Sequence, residues 1–258
     1  MSLSAEVDPP AQPTPGQHSV GRSILLHLLP GAALAAFVLV AIPATDSWDV
    51  DPLAIFFAGI GLVIVPIELG YLTFQGKKLT GRLSPIAAVS YRERLGRGRT
   101  LRLGAILALW FLVVLVISIA VVDTWLAENV FSWLPQVLLD FASVESGEDP
   151  SSGVLVLLLV LGFVFNGFVG PVTEELYFRG HLLPRIDRFG SKAPLINSVL
   201  FGIYHLWTPW RWPAIMIGFL PISWMVWRTR SVFVGIVAHV TINVVFLLLL
   251  LAAFLGDT

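Results

Sequence analysis

Gly170-Pro171-Val172-Thr173-Glu174-Glu175-Leu176-Tyr177-Phe178-Arg179-Gly180 places two adjacent carboxylates and a guanidinium at the end of a long apolar run. The sequence on either side reads as membrane helix, where a charged side chain is costly and calls for a reason. Of the 258 residues, 56% are hydrophobic and 13% charged, against about 25% charged in soluble globular domains. The formal net charge is −1, but the charges are segregated along the chain. There is no cysteine, which excludes disulfides, thiolate nucleophiles and zinc–thiolate sites.

The expected fold is all-α, a polytopic membrane helix bundle. Seven apolar segments run over about 24–44, 52–75, 104–122, 152–170, 194–208, 213–227 and 232–255, where a span needs about 20 residues. The fifth and sixth are short and are expected to be tilted or screened from lipid by their neighbours. Residues 125–142 mix apolar side chains with Glu128 and Asp140 and read as an interfacial helix, with an eighth span as the alternative. Residues 1–22 hold Pro9, Pro10, Pro13 and Pro15 and read as a disordered cytoplasmic tail. With Arg22 as its one basic residue, the tail is not expected to be a signal peptide. Residues 23–258 then form one transmembrane domain.

Basic loops set the orientation. Residues 77–103 contain Lys77, Lys78, Arg82, Arg92, Arg94, Arg97, Arg99 and Arg102 against Glu93, whereas 123–150 contain six acids and no Lys or Arg. The N-terminus, the loop 77–103, the segment 171–192 and Arg228–Arg230 are therefore expected on the cytoplasmic side. Trp207, Trp210 and Trp212 are expected in an outer aromatic belt.

Glu175 and Arg179 are spaced i, i+4, so they share a helix face and can pair. Glu174 points about 100° away from that pair and stays free to act as a general base toward water. Two later apolar segments bring His205, in Phe201-Gly202-Ile203-Tyr204-His205, and His239, in His239-Val240-Thr241-Ile242-Asn243. His239 and Asn243 project from one face. Taken singly these residues are unremarkable: the charges also fit an interfacial helix that meets water and headgroups, and a lone intramembrane His ordinarily bonds a neighbouring helix. Together they offer water activation by a carboxylate or imidazole, with a second imidazole and an amide for the oxyanion. His, His and Glu are also a possible divalent-metal set, although no His-Glu-x-x-His is present. Glu68 could line the cavity but is expected instead to bond a neighbouring helix or snorkel, and is left out of the site. Asn166 and Asn197 are expected to bond between helices, His18 and His27 to be solvated, and His181 to face away from the site.

In this order, Glu174-Glu175-x-x-x-Arg179, Phe201-x-x-x-His205 and His239-x-x-x-Asn243 resemble the CPBP family of CAAX prenyl endopeptidases and bacteriocin-processing and self-immunity proteins. The resemblance covers about residues 150–250. It implies an intramembrane endopeptidase, open to the cytoplasm in the plasma membrane of a prokaryote, acting on membrane-associated and in some relatives prenylated CAAX-type proteins. Glu174 and His205 would activate water, and His239 and Asn243 would form the oxyanion site. Glu175 and Arg179 would support them, with Phe201 in packing or substrate contact. The resemblance implies neither a tightly bound metal nor another cofactor, and no nucleic acid. A non-catalytic adaptor or self-immunity protein on the same fold is the alternative.

Overall fold

Prolines inside two of the apolar runs shape the helices around the charged stretch. A proline lacks the N–H of the helical ladder and its ring crowds the carbonyl four residues back; a widened π-turn just before it relieves both. In the computed structural model, which describes residues 16–48, 50–142 and 152–256, the π-segment Ile60–Ile64 precedes Pro66 and the π-segment Gly162–Val169 precedes Pro171. Both helices continue through their proline.

The chain is helical, with no strand among the described residues. Helix α1 covers Val20–Thr45, α2 Pro52–Thr80, α3 Arg97–Asn129 and α4 Gln136–Ala142. Helix α5 runs through the consecutive pieces Ser152–Leu161, Gly162–Val169, Gly170–Glu174 and Glu175–Leu182. The tight-turned segment Leu183–Lys192 follows, broken at Gly190 (φ 56°, ψ −132°), a conformation open to residues without a Cβ. Helices α6 (Ala193–Tyr204), α7 (Trp212–Thr229) and α8 (Val232–Gly256) complete the bundle.

Five helical stretches among the described residues are long and apolar enough to cross a bilayer: Val20–Thr45, Pro52–Thr80, Arg97–Asn129, Val156–Tyr204 and Val232–Leu249. Helix α6, with 12 residues, reaches only about 18 Å at 1.5 Å per residue. The segment expected as one interfacial helix over 125–142 is split instead. Residues to Asn129 extend α3, and Pro135 precedes the separate short α4. Residues 1–15 of the expected tail and 143–151 of the acidic loop lie outside the described residues.

Helix α8 packs against α3, α5 and α7, while α6 packs against α7 and α1. Their buried faces carry Leu34, Phe111, Phe178, Phe201, Phe219 and Ile242. The outward faces carry large apolar side chains such as Leu62, Leu109, Val116, Val121 and Val160. Soluble monomers rarely expose so much contiguous apolar surface, and lipid is the solvent that suits it.

The basic loop is docked, and so is the end of the segment expected as a disordered tail. In the basic loop, Ser90 N donates to Gly180 O at 2.8 Å, and Val232 N donates to Tyr91 O at 2.9 Å. At the N-terminal side, His18 N donates to Arg185 O at 2.9 Å and Gln17 Nε2 to Pro184 O at 3.0 Å. His18 is thus buried rather than solvated. Burial, with Arg22 and Arg185 nearby, lowers its pKa to about 4.

Candidate active site

The sequence stretch that opens the charged cluster becomes the middle of α5. Glu175 and Arg179 pair as their spacing predicts: Arg179 Nη1 donates to Glu175 Oε1 at 3.0 Å, and both side chains are sealed from solvent. The guanidinium lies over the Phe201 ring at 3.9 Å and near Phe219 at 4.7 Å from ring centroids. A desolvated cation gains from the negative faces of aromatic rings. Phe201 is fully buried, so its part here is to hold Arg179.

His239 comes from α8 and meets both glutamates. Its Nδ1 lies 3.1 Å from Glu175 Oε1, and its Nε2 lies 3.6 Å from Glu174 Oε2. An ionised carboxylate only accepts, so with Glu175 as the anion paired to Arg179, Nδ1 carries the proton. Glu175 therefore fixes the ring orientation and leaves Nε2 directed toward Glu174. The other Glu174 oxygen accepts from the Tyr204 hydroxyl at 2.9 Å. Of the adjacent carboxylates, Glu174 keeps 12% of its side chain exposed and Glu175 none.

His205 stands where α6 ends. Its Nδ1 is 2.8 Å from Phe201 O. A carbonyl can only accept, so Nδ1 is the donor and Nε2 of a neutral ring presents a lone pair. Trp212 Nε1 donates to His205 O at 3.0 Å and ties the start of α7 to this turn. Asn243 Nδ2 donates to Asn166 O at 2.8 Å, within the π-segment of α5, and the amide retains a second N–H. Asn243 is not directly bonded to His239, and no hydrogen bond joins His205 to Glu174. Among these four side chains, from α5, the end of α6 and α8, the one close contact is that of the Glu174 carboxylate with the His239 imidazole. No set of three or more His, Asp or Glu side chains among the described residues converges as a metal site.

Residues 156–245 match the model of the Rce1-like family, described as type II CAAX prenyl endopeptidase Rce1-like. This segment is consistent with a CPBP-family domain. It contains every side chain from Glu174 to Asn243 just described and leaves α1, α2, α3 and α4 outside. No curated protein and no solved structure matches the chain. The family match and the apolar helices support an integral membrane protein.

Other side chains around this cluster have partners that the sequence does not name. A network of hydrogen bonds runs through four helices. Arg179 Nε donates to Ser223 Oγ at 3.3 Å, and Ser223 donates to Asn197 Oδ1 at 3.2 Å. Asn197 Nδ2 lies 3.1 Å from Phe178 O and from His27 Nε2. His27 Nδ1 closes the chain on Ser23 O at 2.7 Å. His27, expected to be solvated, is fully buried because this network needs its acceptor nitrogen. His181 is buried too, with Nδ1 2.8 Å from Ala88 O. Glu68, expected to bond a neighbour or snorkel, is fully buried and has no hydrogen-bond partner. Trp207 and Trp210 are buried rather than belted at a lipid interface; Trp207 packs against Tyr204 and His205. Gly235, one helical turn before His239, lets the Glu175 carboxylate lie against the α8 backbone. Its signal was available: a small residue at i−4 from a functional one leaves room on the same face.

Proposed function

We propose that the protein is an intramembrane endopeptidase that uses Glu174 and His205 to activate water against peptide bonds of membrane-associated proteins. The observation that carries this reading is the division of labour between adjacent carboxylates. Glu175 is sealed and spoken for by Arg179 and His239, while Glu174 retains exposed surface beside an imidazole and a phenol.

In the reaction, Glu174 takes a proton from a water whose other contact is the lone pair of His205 Nε2. The water oxygen bonds to the scissile carbonyl carbon, and the carbonyl π electrons move to its oxygen. The second N–H of Asn243 and a protonated His239 Nε2 are the donors for that oxyanion, and preorganised donors of this kind are worth roughly 10²–10³ in rate. When the C–N bond breaks, the proton held by Glu174 passes to the departing amine. Glu175 keeps His239 oriented throughout.

The substrate class that goes with the family name is a prenylated CAAX-type tail, and the topology that goes with the charge pattern is seven spans with the site open to the cytoplasm of a prokaryote. The test uses purified protein in lipid nanodiscs and a panel of membrane-tethered peptides, prenylated and not. Wild type is expected to cleave, and Glu174→Gln to lose activity by about 10²-fold or more while its thermal unfolding stays within a few degrees. Equal turnover by the two proteins would refute the reading and leave a non-catalytic adaptor on the same fold.

A further inference from the structure

The endopeptidase reading leaves the basic loop unused. A cavity of about 430 Å³ opens between the C-terminal end of α2 and this loop, lined by Thr80, Arg82, Ser84, Ile86, Ala87 and Arg92. Small-ligand pockets run from about 300 to 1,000 Å³. Gly76 lets the loop come this close to the helix: a Cβ there would overlap Ser84 O. Gly81, with φ 74°, ends the helix and turns the chain back. On the opposite wall the backbone around Arg92 is fixed. Arg92 pairs with Ser231 in an isolated antiparallel bridge, while Val232 N donates to Tyr91 O and Glu93 N to Arg230 O, both at 2.9 Å.

The lining is cationic and uncompensated. Neither Arg82 nor Arg92 pairs with a carboxylate among the described residues; Arg92 Nη1 reaches Ile86 O at 3.4 Å. The one acid of the loop, Glu93, is not part of the lining. Thr80 gives its proton to Gly76 O at 2.9 Å, which leaves the Ser84 hydroxyl as the neutral donor. Two guanidiniums and a hydroxyl around one concavity suit a phosphate-type anion, which a guanidinium can meet with paired N–H bonds. The surroundings say which kind of phosphate. Helix α2 has 29 residues and extends about 43 Å at 1.5 Å per residue, beyond the roughly 30 Å of hydrocarbon, so its end reaches the headgroups. Leu79, Leu83 and Ile86 beside the arginines are exposed. Lys78 Nζ lies 4.3 Å over the Phe74 ring, the posture of a cation on an apolar stem at an interface. A soluble phosphate has nothing to offer those apolar side chains, whereas acyl chains do. With Lys77 and Lys78 in the turn before Thr80, a headgroup carrying its own cation would be repelled.

We infer that this cavity binds the headgroup phosphate of an anionic phospholipid, with Arg82 and Arg92 on the phosphate, Ser84 as the neutral donor and the acyl chains along Leu79, Leu83 and Ile86. A topology signal needs only charge on the loop; a built site needs these two arginines rather than their equally charged neighbours. The inference stands apart from the endopeptidase reading and holds whichever compartment the loop faces. A bound lipid would staple the end of α2 to a loop that Ser90 N fastens to Gly180 O near the end of α5.

Native mass spectrometry and thermal unfolding of the full-length protein in a neutral detergent test it, with added phosphatidylglycerol, phosphatidylcholine or inorganic phosphate. Wild type is expected to take up one phosphatidylglycerol saturably and to melt at a higher temperature with it, and to bind phosphatidylcholine about tenfold more weakly or worse. Arg82→Gln combined with Arg92→Gln is expected to weaken phosphatidylglycerol binding about tenfold or more. Arg97→Gln combined with Arg99→Gln removes the same charge from the start of α3 and is expected to leave the affinity unchanged. Should the first double variant fail to fold, Ser84→Asp serves, because a negative charge in the cavity must weaken phosphate binding. Equal loss in the two arginine variants, equal binding of phosphatidylcholine, or undiminished binding in Ser84→Asp overturns the inference. So does inorganic phosphate that raises the melting temperature as much as the lipid, which would make the cavity a site for a free anion.

Discussion

Glu175 has one oxygen in two charge-assisted contacts and the other pressed against Gly235 with no partner. A Cβ at position 235 would overlap that oxygen, and a carboxylate sealed on every side has nowhere to retreat. Gly235→Ala is therefore expected to destabilise the protein by about 1–3 kcal/mol, as overpacking does, even though alanine is the better helix former by about 1 kcal/mol. It should also depress peptide cleavage, since His239 takes its orientation from Glu175. Thermal unfolding in detergent and turnover on one peptide check both; an unchanged melting temperature with full activity would show that Glu175 is not held as described. The Glu175–Arg179 pair was legible in the sequence because i, i+4 proximity is local. Glu68 and Tyr204 were not. A single acid in an apolar helix has the same signature whether it snorkels or is buried, and a tyrosine in an apolar run reads as packing. Only the tertiary fold brings the Tyr204 hydroxyl to Glu174 and seals Glu68 from solvent.

At the scale of elements, one amide ties four helices. Asn197 on α6 contacts His27 on α1, Phe178 O on α5 and Ser223 on α7, and Ser223 in turn receives Arg179. A hydrogen bond that is lost while its partner remains buried costs about 1–3 kcal/mol, and three partners depend on this side chain. Asn197→Leu, nearly isosteric, is expected to cost at least that much, with Arg179 losing its second anchor as Ser223 turns away. Chemical unfolding in mixed micelles measures it; a stability within about 0.5 kcal/mol of wild type would mean that water replaces the network. The sequence marks Asn197 as an interhelical residue but cannot name its partners. Hydropathy likewise locates the apolar runs and misses their breaks. The π-segments before Pro66 and Pro171, and the tight-turned path over Leu183–Lys192, carry no change in apolarity. The same blindness made 125–142 look like one element: Pro135 follows the end of α3, but the amphipathic composition continues across it.

For the whole molecule, the charge asymmetry between loops makes a claim that can be read directly. Residues 77–103 carry eight basic residues and one acid, and 123–150 carry six acids and no base. Lys and Arg near the ends of spans stay on the cytoplasmic side, so the two ends of α3 must face opposite compartments. Helix α3, Arg97–Asn129, has 33 residues and extends about 50 Å at 1.5 Å per residue, more than the roughly 30 Å of hydrocarbon it has to cross. Both of its ends should therefore emerge into water. The protein has no cysteine, so an introduced thiol is the only one that a maleimide can find. Arg99 and Asn129 are exposed at opposite ends of this helix. In right-side-out vesicles Asn129→Cys is expected to react with a membrane-impermeant maleimide, and Arg99→Cys only after the membrane is permeabilised. The docking of the basic loop against Gly180 and Val232 puts the start of α3 on the same side as the end of α5. The Arg99→Cys result therefore also reports the side toward which that end of α5 lies. Labelling of Arg99→Cys in intact right-side-out vesicles would invert the topology and, with it, the compartment from which substrate and water are drawn.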